Sequence, residues 1–245
     1  MKKIFKQLVV IFSLIFISAS IYSFQIFIFK KPDDTMFYLL QDFAFLPLQI
    51  LIVTFIITNI LKTREKNILQ NKMYMVIGAF FSQLGLKLIK DLAIDDLHIK
   101  DARQILNIES NWTEKELMNA KKLINKHNFV IKISTENLIK LKNNLLKEKP
   151  FLLGLLENQN LLEHELFSDL LWTICHLTEE LEYRENLDNL SKKDYEHLCY
   201  DIKRIYYPLI TQWLQYINHL KFNYPFIYSL VIRTNPFNED AKVEL

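Results

Sequence analysis

The sequence predicts an all-α protein, built as a two-helix transmembrane hairpin followed by a helical-bundle cytoplasmic domain. Three observations carry that expectation. Two long uncharged apolar runs stand near the amino end, helix-start signals with amphipathic stripes recur through the rest, and alternating β-branched segments are scarce.

The first run, QLVVIFSLIFISASIYSFQIFIF at residues 7–29, holds 23 residues without a charge. At a helical rise of about 1.5 Å per residue it covers a hydrocarbon core of about 30 Å. Lys2, Lys3 and Lys6 precede it. A basic start, an apolar stretch and the small residues Ser18, Ala19 and Ser20 also imitate a secretory leader. The apolar character continues to Phe29, well past that site, and this favours an uncleaved span. The second run is FAFLPLQILIVTFIITNIL at 43–61, and Met36 to Gln41 extend its apolar character upstream past the single charge of Asp42. Pro47 falls in the first turns of that run, where a missing N–H does least damage. KKPDDT at 30–35 connects the runs, and Lys62, Arg64, Lys66 and Lys72 come after the second. Counted over Lys and Arg, the outer flanks outweigh the connection, although Lys30 and Lys31 oppose them. The expectation is therefore a multi-pass cell-membrane protein with both termini in the cytoplasm. Residues 1–72 form the anchor and 73–245 the helical cytoplasmic domain.

MYMVIGAFFSQLGL at 73–86 is apolar but short for a crossing. Gly78, Ser82 and Gly85 recur at helical spacing, so one face is small enough for another backbone to approach, either within the chain or across a homodimer.

Start signals then come in order. Thr113 with Glu116 makes a capping box, Ser134 precedes a second helix, and Ser191 opens a third. Pro150 and Pro225 each suit the first turn of a new helix, and Pro236 suits a stop. Within residues 160–184, Leu162, Leu166, Leu170, Ile174, Leu177 and Leu181 form a stripe, opposite Asp169, Trp172, His176, Glu180 and Tyr183. From Asp194 to Lys221 the stripe is Tyr195, Leu198, Ile202, Ile205, Leu209, Trp213, Tyr216 and Leu220. His197, Asp201, Arg204, Gln212 and His219 share the polar side, with a kink expected before Pro208. FVIKIS at 129–134 is the one candidate strand.

Several chemistries lose support. The chain of 245 residues contains only 3 glycines, standing apart, so no dinucleotide fingerprint, phosphate-cradling loop or nucleophile elbow can be built. Cys175 and Cys199 make no metal or redox motif, and a structural disulfide is not expected in a reducing compartment. The net charge of +2 conceals a division: residues 62–149 carry 17 Lys/Arg against 10 Asp/Glu, and residues 150–245 carry 8 against 15. Basic and acidic helices are expected to pack together, with contact of the basic part to anionic headgroups as the sharper alternative. The aromatic carboxyl-terminal region is net acidic, which opposes nucleic-acid binding and favours core packing or a membrane interface.

LPLQILIVTFIITNILKTREK, then MVIGAFFSQLG, then LLENQNLLEHELFSDLLWTICHLTEEL, then DYEHLCYDIKRIYYPLITQWLQYINHLKFNYPFIYSLVIRTNPF together resemble a group of uncharacterised prokaryotic membrane proteins with two N-terminal spans. The resemblance covers most of the chain and implies two spans with a helical cytoplasmic domain. It brings no activity, ligand or catalytic residue.

The functional expectation is a membrane-anchored interaction module, a scaffold, adaptor or sensor, whose partners are the lipid bilayer and a second copy or another protein. No cofactor and no nucleic acid are expected. The rival is a metal- or ligand-binding site or enzyme built from Glu163, His164, His176, Glu180, His197 and Asp201. His176 with Glu180, and His197 with Asp201, are i, i+4 pairs that would converge if the two helices packed antiparallel. Glu163 falls within the leucine stripe by helical angle, either in a dipole-stabilised first turn or buried with a cation.

Overall fold

Helices satisfy most of the described backbone. The structure, a computed structural model, describes residues 2–30, 32–161 and 164–242. It divides into two units, Met1–Lys66 and Asn67–Leu245. Among the described residues there is no strand, and the expected FVIKIS strand is reduced to one bridge between Asp96 and Ile131.

The N-terminal unit holds α1 (Lys2–Phe29) and most of α2 (Pro32–Phe80). Lys30 closes α1 in the left-handed region, at φ 52°, with its N–H donating to Ile26 O at 2.9 Å. Pro32, Asp33 and Asp34 then start α2, a proline at the first position and two carboxylates at the positive helix end. Because α2 starts there rather than near residue 43, Pro47 lies in a helix interior and not in a first turn. Tyr22 Oη donates to Asp42 Oδ2 at 2.9 Å, giving the charge between the apolar runs a partner across the turn. Among the described residues one helix, the apolar part of α2, is long and apolar enough to cross a membrane. The apolar stretch described in α1, Phe12–Ile28, is shorter.

The C-terminal unit continues from α2 through a π-helical turn, Phe81–Gly85, into α3 (Leu86–Ala93). Then come α4 (Ile99–Leu106), α5 (Glu114–Ile124), α6 (Thr135–Leu156), a 3₁₀ turn at Gln159–Leu161, α7 (Glu165–Tyr183), α8 (Lys192–Asn223) and α9 (Pro225–Arg233). The hydroxyl caps work as the sequence indicates. Thr113 and Glu116 form a reciprocal capping box, Ser134 Oγ accepts from Asn137 N–H at 3.1 Å, and Ser191 Oγ accepts from Asp194 N–H at 3.2 Å. Pro225 does open a helix. Pro150 does not: α6 runs through it, because Leu138, Leu141, Leu145, Leu152 and Leu155 keep one continuous buried face on both sides. The extended segment near residue 130 is held by two buried aspartates. Asp96 Oδ1 accepts from Val130 N–H at 3.1 Å, and Asp95 receives both Ser134 N–H and the Asn137 amide.

α8 is the central element, packed against α3, α5, α7 and α9. Six consecutive residues, Leu209 to Leu214, are buried, so the helix is enclosed on every side there. This corrects the single-stripe expectation: Gln212 and Asp201 are buried, while Leu166 of the expected α7 stripe is exposed. Phe167, Leu170, Leu171, Ile174, Leu177 and Leu181 make the true buried face of α7. The carboxyl-terminal aromatics Tyr206, Trp213, Tyr216, Tyr228 and Phe237 are core residues. Basic and acidic helices do meet, since α6 packs on α7 with Lys149 paired to Glu182 and Lys142 Nζ donating to Arg184 O at 2.6 Å.

Gly78 meets an aromatic ring of its own chain. A Cβ placed there would lie 2.8 Å from Tyr216 Oη and 3.3 Å from Cζ, and Tyr216 in turn stacks on Phe81 at 5.5 Å. Gly85 is crowded by the rings of Phe80, the last residue of α2, and Phe81 of its own π turn, while Ser82 is exposed. Gly154, in contrast, has open space around it in α6. Gly78→Val should therefore cost about 1–3 kcal/mol through overpacking, whereas Gly154→Ala should add about 0.5–1 kcal/mol. Denaturant unfolding of the purified protein measures both signs.

Candidate functional site

Three side chains one turn apart on α7, His176, Glu180 and Arg184 at its C-cap, face His197 and Asp201 one turn apart on α8. The loop Glu185–Leu190 and the Ser191 cap return the chain antiparallel, which brings the two i, i+4 pairs together.

Glu180 is the junction. Its Oε1 accepts from Arg184 Nη2 at 2.6 Å and lies 3.2 Å from His197 Nε2, and its Oε2 lies 3.8 Å from His176 Nε2. Asp201 Oδ2 lies 3.3 Å from the same His197 nitrogen. Arg184 Nη1 reaches Asp194 Oδ1 at 3.6 Å, so one guanidinium spans the start of α8 and the end of α7. Among the described residues, Glu180 Oε2 and Asp201 Oδ2 are buried without a hydrogen-bond donor.

The two carboxyls are driven apart. Burial pushes Glu180 up, but the Arg184 hydrogen bond and the positive potential of His197 outweigh it and hold Glu180 below its ordinary value. Burial lifts Asp201 above its ordinary value, and the Glu180 carboxylate adds to that while His197 opposes it. Two acids one contact apart are thus shifted in opposite directions.

The remaining sequence candidates separate from this cluster. His164 is the N-cap of α7: its Nδ1 accepts from Phe167 N–H at 3.0 Å, a role that needs the neutral ring. Glu163 lies outside the described residues. Arg184 and Asp194 were not singled out from sequence, although Arg184 sits four residues after Glu180 and so carried a legible helical signal. A second feature, an open groove of about 760 Å³, lies between α5, α7 and α8; Lys121, Asp169, Trp172, Arg204 and Tyr207 line it. Trp172 and Leu166 beside it are exposed.

Two family models match the chain. One, described as "Uncharacterized protein MJ1433, C-terminal helical domain", covers residues 69–233, and the other, "MJ1433, N-terminal helical domain", covers residues 2–61. The chain is also 44% identical over 235 residues to "Uncharacterized protein MJ1433" of Methanocaldococcus jannaschii, across 96% of this chain and 94% of that protein. It belongs to this family. The descriptions name helical domains and no membrane span or activity. No solved structure matches.

The helix cap and the seam each respond to protonation. Burial lowers the His164 pKa, so the unfolded chain takes the proton more readily than the folded one. The associated stability is full above about pH 6.5 and is lost as pH falls through the lower folded value. Unfolding free energy should therefore drop between pH 7 and pH 5, and His164→Asn, which caps without titrating, should flatten that slope in chemical denaturation. Asp201→Asn removes a buried carboxylate from beside Glu180. At pH 8 it should raise the thermal midpoint of the chelator-treated protein by about 2–5 °C, the shift that about 1 kcal/mol produces at this size.

Proposed function

We propose that this member of the MJ1433 family is a membrane-anchored helical protein. In this reading the N-terminal unit sits in a lipid bilayer with both termini on the cytoplasmic side. The C-terminal unit works through protein contacts, as a scaffold, adaptor or sensor module.

One observation carries the reading. Large apolar side chains from Phe12 to Leu61 are exposed along both N-terminal helices, Phe27 at 79% and Phe55 at 68%, and none of the described apolar side chains of that unit is buried. A chain in water would lose about 25 cal/mol for every Å² so displayed relative to burying it, and soluble monomers seldom show patches beyond a few hundred Å². Hydrocarbon removes that cost, and the helical backbone needs no outside partner there. Lys62, Arg64, Lys66 and Lys72 directly after the apolar stretch support cytoplasmic placement of the C-terminal unit. For the contact surface, the groove between α5, α7 and α8 combines a displayed Trp172 and Leu166 with both charge signs, Asp169 against Lys121 and Arg204. Exposed aromatic and arginine side chains of this kind are over-represented among interface anchors.

Carbonate washing of membranes should leave the full-length chain in the pellet, and a reporter fused to the C-terminus should be active only on the cytoplasmic side. Release of the chain into the wash would end the anchoring claim, and an external reporter would reverse the topology. In-cell crosslinking through position 172 should yield a discrete larger species. A lone monomer would count against the interaction role.

A further inference from the structure

We propose that the seam between α7 and α8 is a binding site for a divalent first-row transition ion, with His176 Nε2, Glu180 Oε2 and Asp201 Oδ2 as its three protein ligands. The site stands independently of the membrane reading, because all its residues belong to the C-terminal unit.

Geometry is the first argument. The ligand atoms of His176, Glu180 and Asp201 lie within 4.8 Å of one another, and the His176–Glu180 pair is already at 3.8 Å. An ion with bonds of about 2.0–2.2 Å holds its ligands about 3–3.5 Å apart, so closing the triangle requires movement of about 1 Å. His176, whose side chain is 57% exposed, has the most room to move. The carboxylates come from rigid positions on two packed helices, which leaves the imidazole as the adjustable arm.

Unpartnered buried atoms are the second argument. Asp201 is 3% exposed, yet its Oδ2 makes no hydrogen bond of good geometry among the described residues, with His197 Nε2, which also faces Glu180 Oε1, standing 3.3 Å away; the buried Glu180 Oε2 makes none either. Arg184, the obvious cation, is directed elsewhere: it binds Glu180 through Oε1 and reaches on to Asp194. The oxygens left over belong to the two carboxylates that stand close to His176. Arg184 and His197 then act as outer partners that hold the carboxylates in place, the role such groups play around metal ligands. One nitrogen and two carboxylate oxygens suit Zn²⁺ or Mn²⁺ better than Mg²⁺, which prefers an all-oxygen octahedron.

The test uses full-length protein in detergent micelles, stripped with a chelator and titrated calorimetrically with Zn²⁺ at pH 7.5. One Zn²⁺ per chain is expected, with a rise in thermal midpoint on binding and no comparable response to Mg²⁺. His176→Ala alters an exposed side chain and leaves the core intact; it and Asp201→Asn should each weaken Zn²⁺ by at least about tenfold. Cys199→Ser should bind as the parent does. Substoichiometric binding by the parent, unchanged affinity in His176→Ala, equal uptake of Mg²⁺, or loss of binding in Cys199→Ser would each overturn the assignment.

Discussion

Complete enclosure of α8 between Leu209 and Leu214 is the constraint on which the C-terminal unit depends. An enclosed helix needs neighbours on every side, and α3, α5, α7 and α9 supply them. Burying Trp213 or Tyr206 contributes on the order of 1.5–3 kcal/mol each, so the arrangement that hides both is strongly preferred over a layer with one face open. The same demand explains the small residue at Gly78, where the Tyr216 ring takes the space of a side chain, and the π turn that lets Phe80 and Phe81 both point inward. Phe80 meets Phe167 edge to face at 5.2 Å, which ties the end of α2 to the start of α7.

Once α7 is fixed on α8, the His and carboxylate cluster results from register alone. Asp201 is carried into the seam because its neighbours Leu198, Ile202 and Ile205 must be buried. Its carboxyl arrives beside Glu180, and Arg184 answers only part of the resulting negative charge. A buried acid next to another acid opposes stability, and such arrangements are kept where a site needs them more often than where a core does. Arg184 also links Glu180 to Asp194 at the start of α8, so the electrostatics of the seam and the entry to the central helix are one system.

The two units treat apolar side chains in opposite ways. In Asn67–Leu245 the large ones are mostly sequestered, whereas from Phe12 to Leu61 they are displayed. Charge obeys a related division. Two lysines of α6 are directed at α7, Lys149 to Glu182 and Lys142 to the backbone carbonyl of Arg184, while Lys140 pairs with Asp91 of α3. Basic and acidic helices thus meet within the C-terminal unit.

The helical class was legible in the sequence, because caps and period depend only on neighbours a few residues away. Thr113, Ser134 and Ser191 begin helices for local reasons, and so does Pro225. The pairing of His176 with Glu180 and of His197 with Asp201 was legible for the same reason, since four residues make one helical turn. Local spacing could not decide which polar residues would be buried. Asp201 and Gln212 read as solvent-facing, and Leu166 as core, because a sequence stripe assumes one buried face while α8 is packed all round. Pro150 read as a boundary because its lost hydrogen bond is a local cost, and the gain that outweighs it, a leucine face continuing from Leu138 to Leu155, is tertiary. Sequence alone therefore determined that the chain would be helical and where most helices would start. Only the packing of α7 against α8 decided that two histidines, two carboxylates and an arginine would share one seam, because contacts between helices arise from burial, which no short window of residues contains.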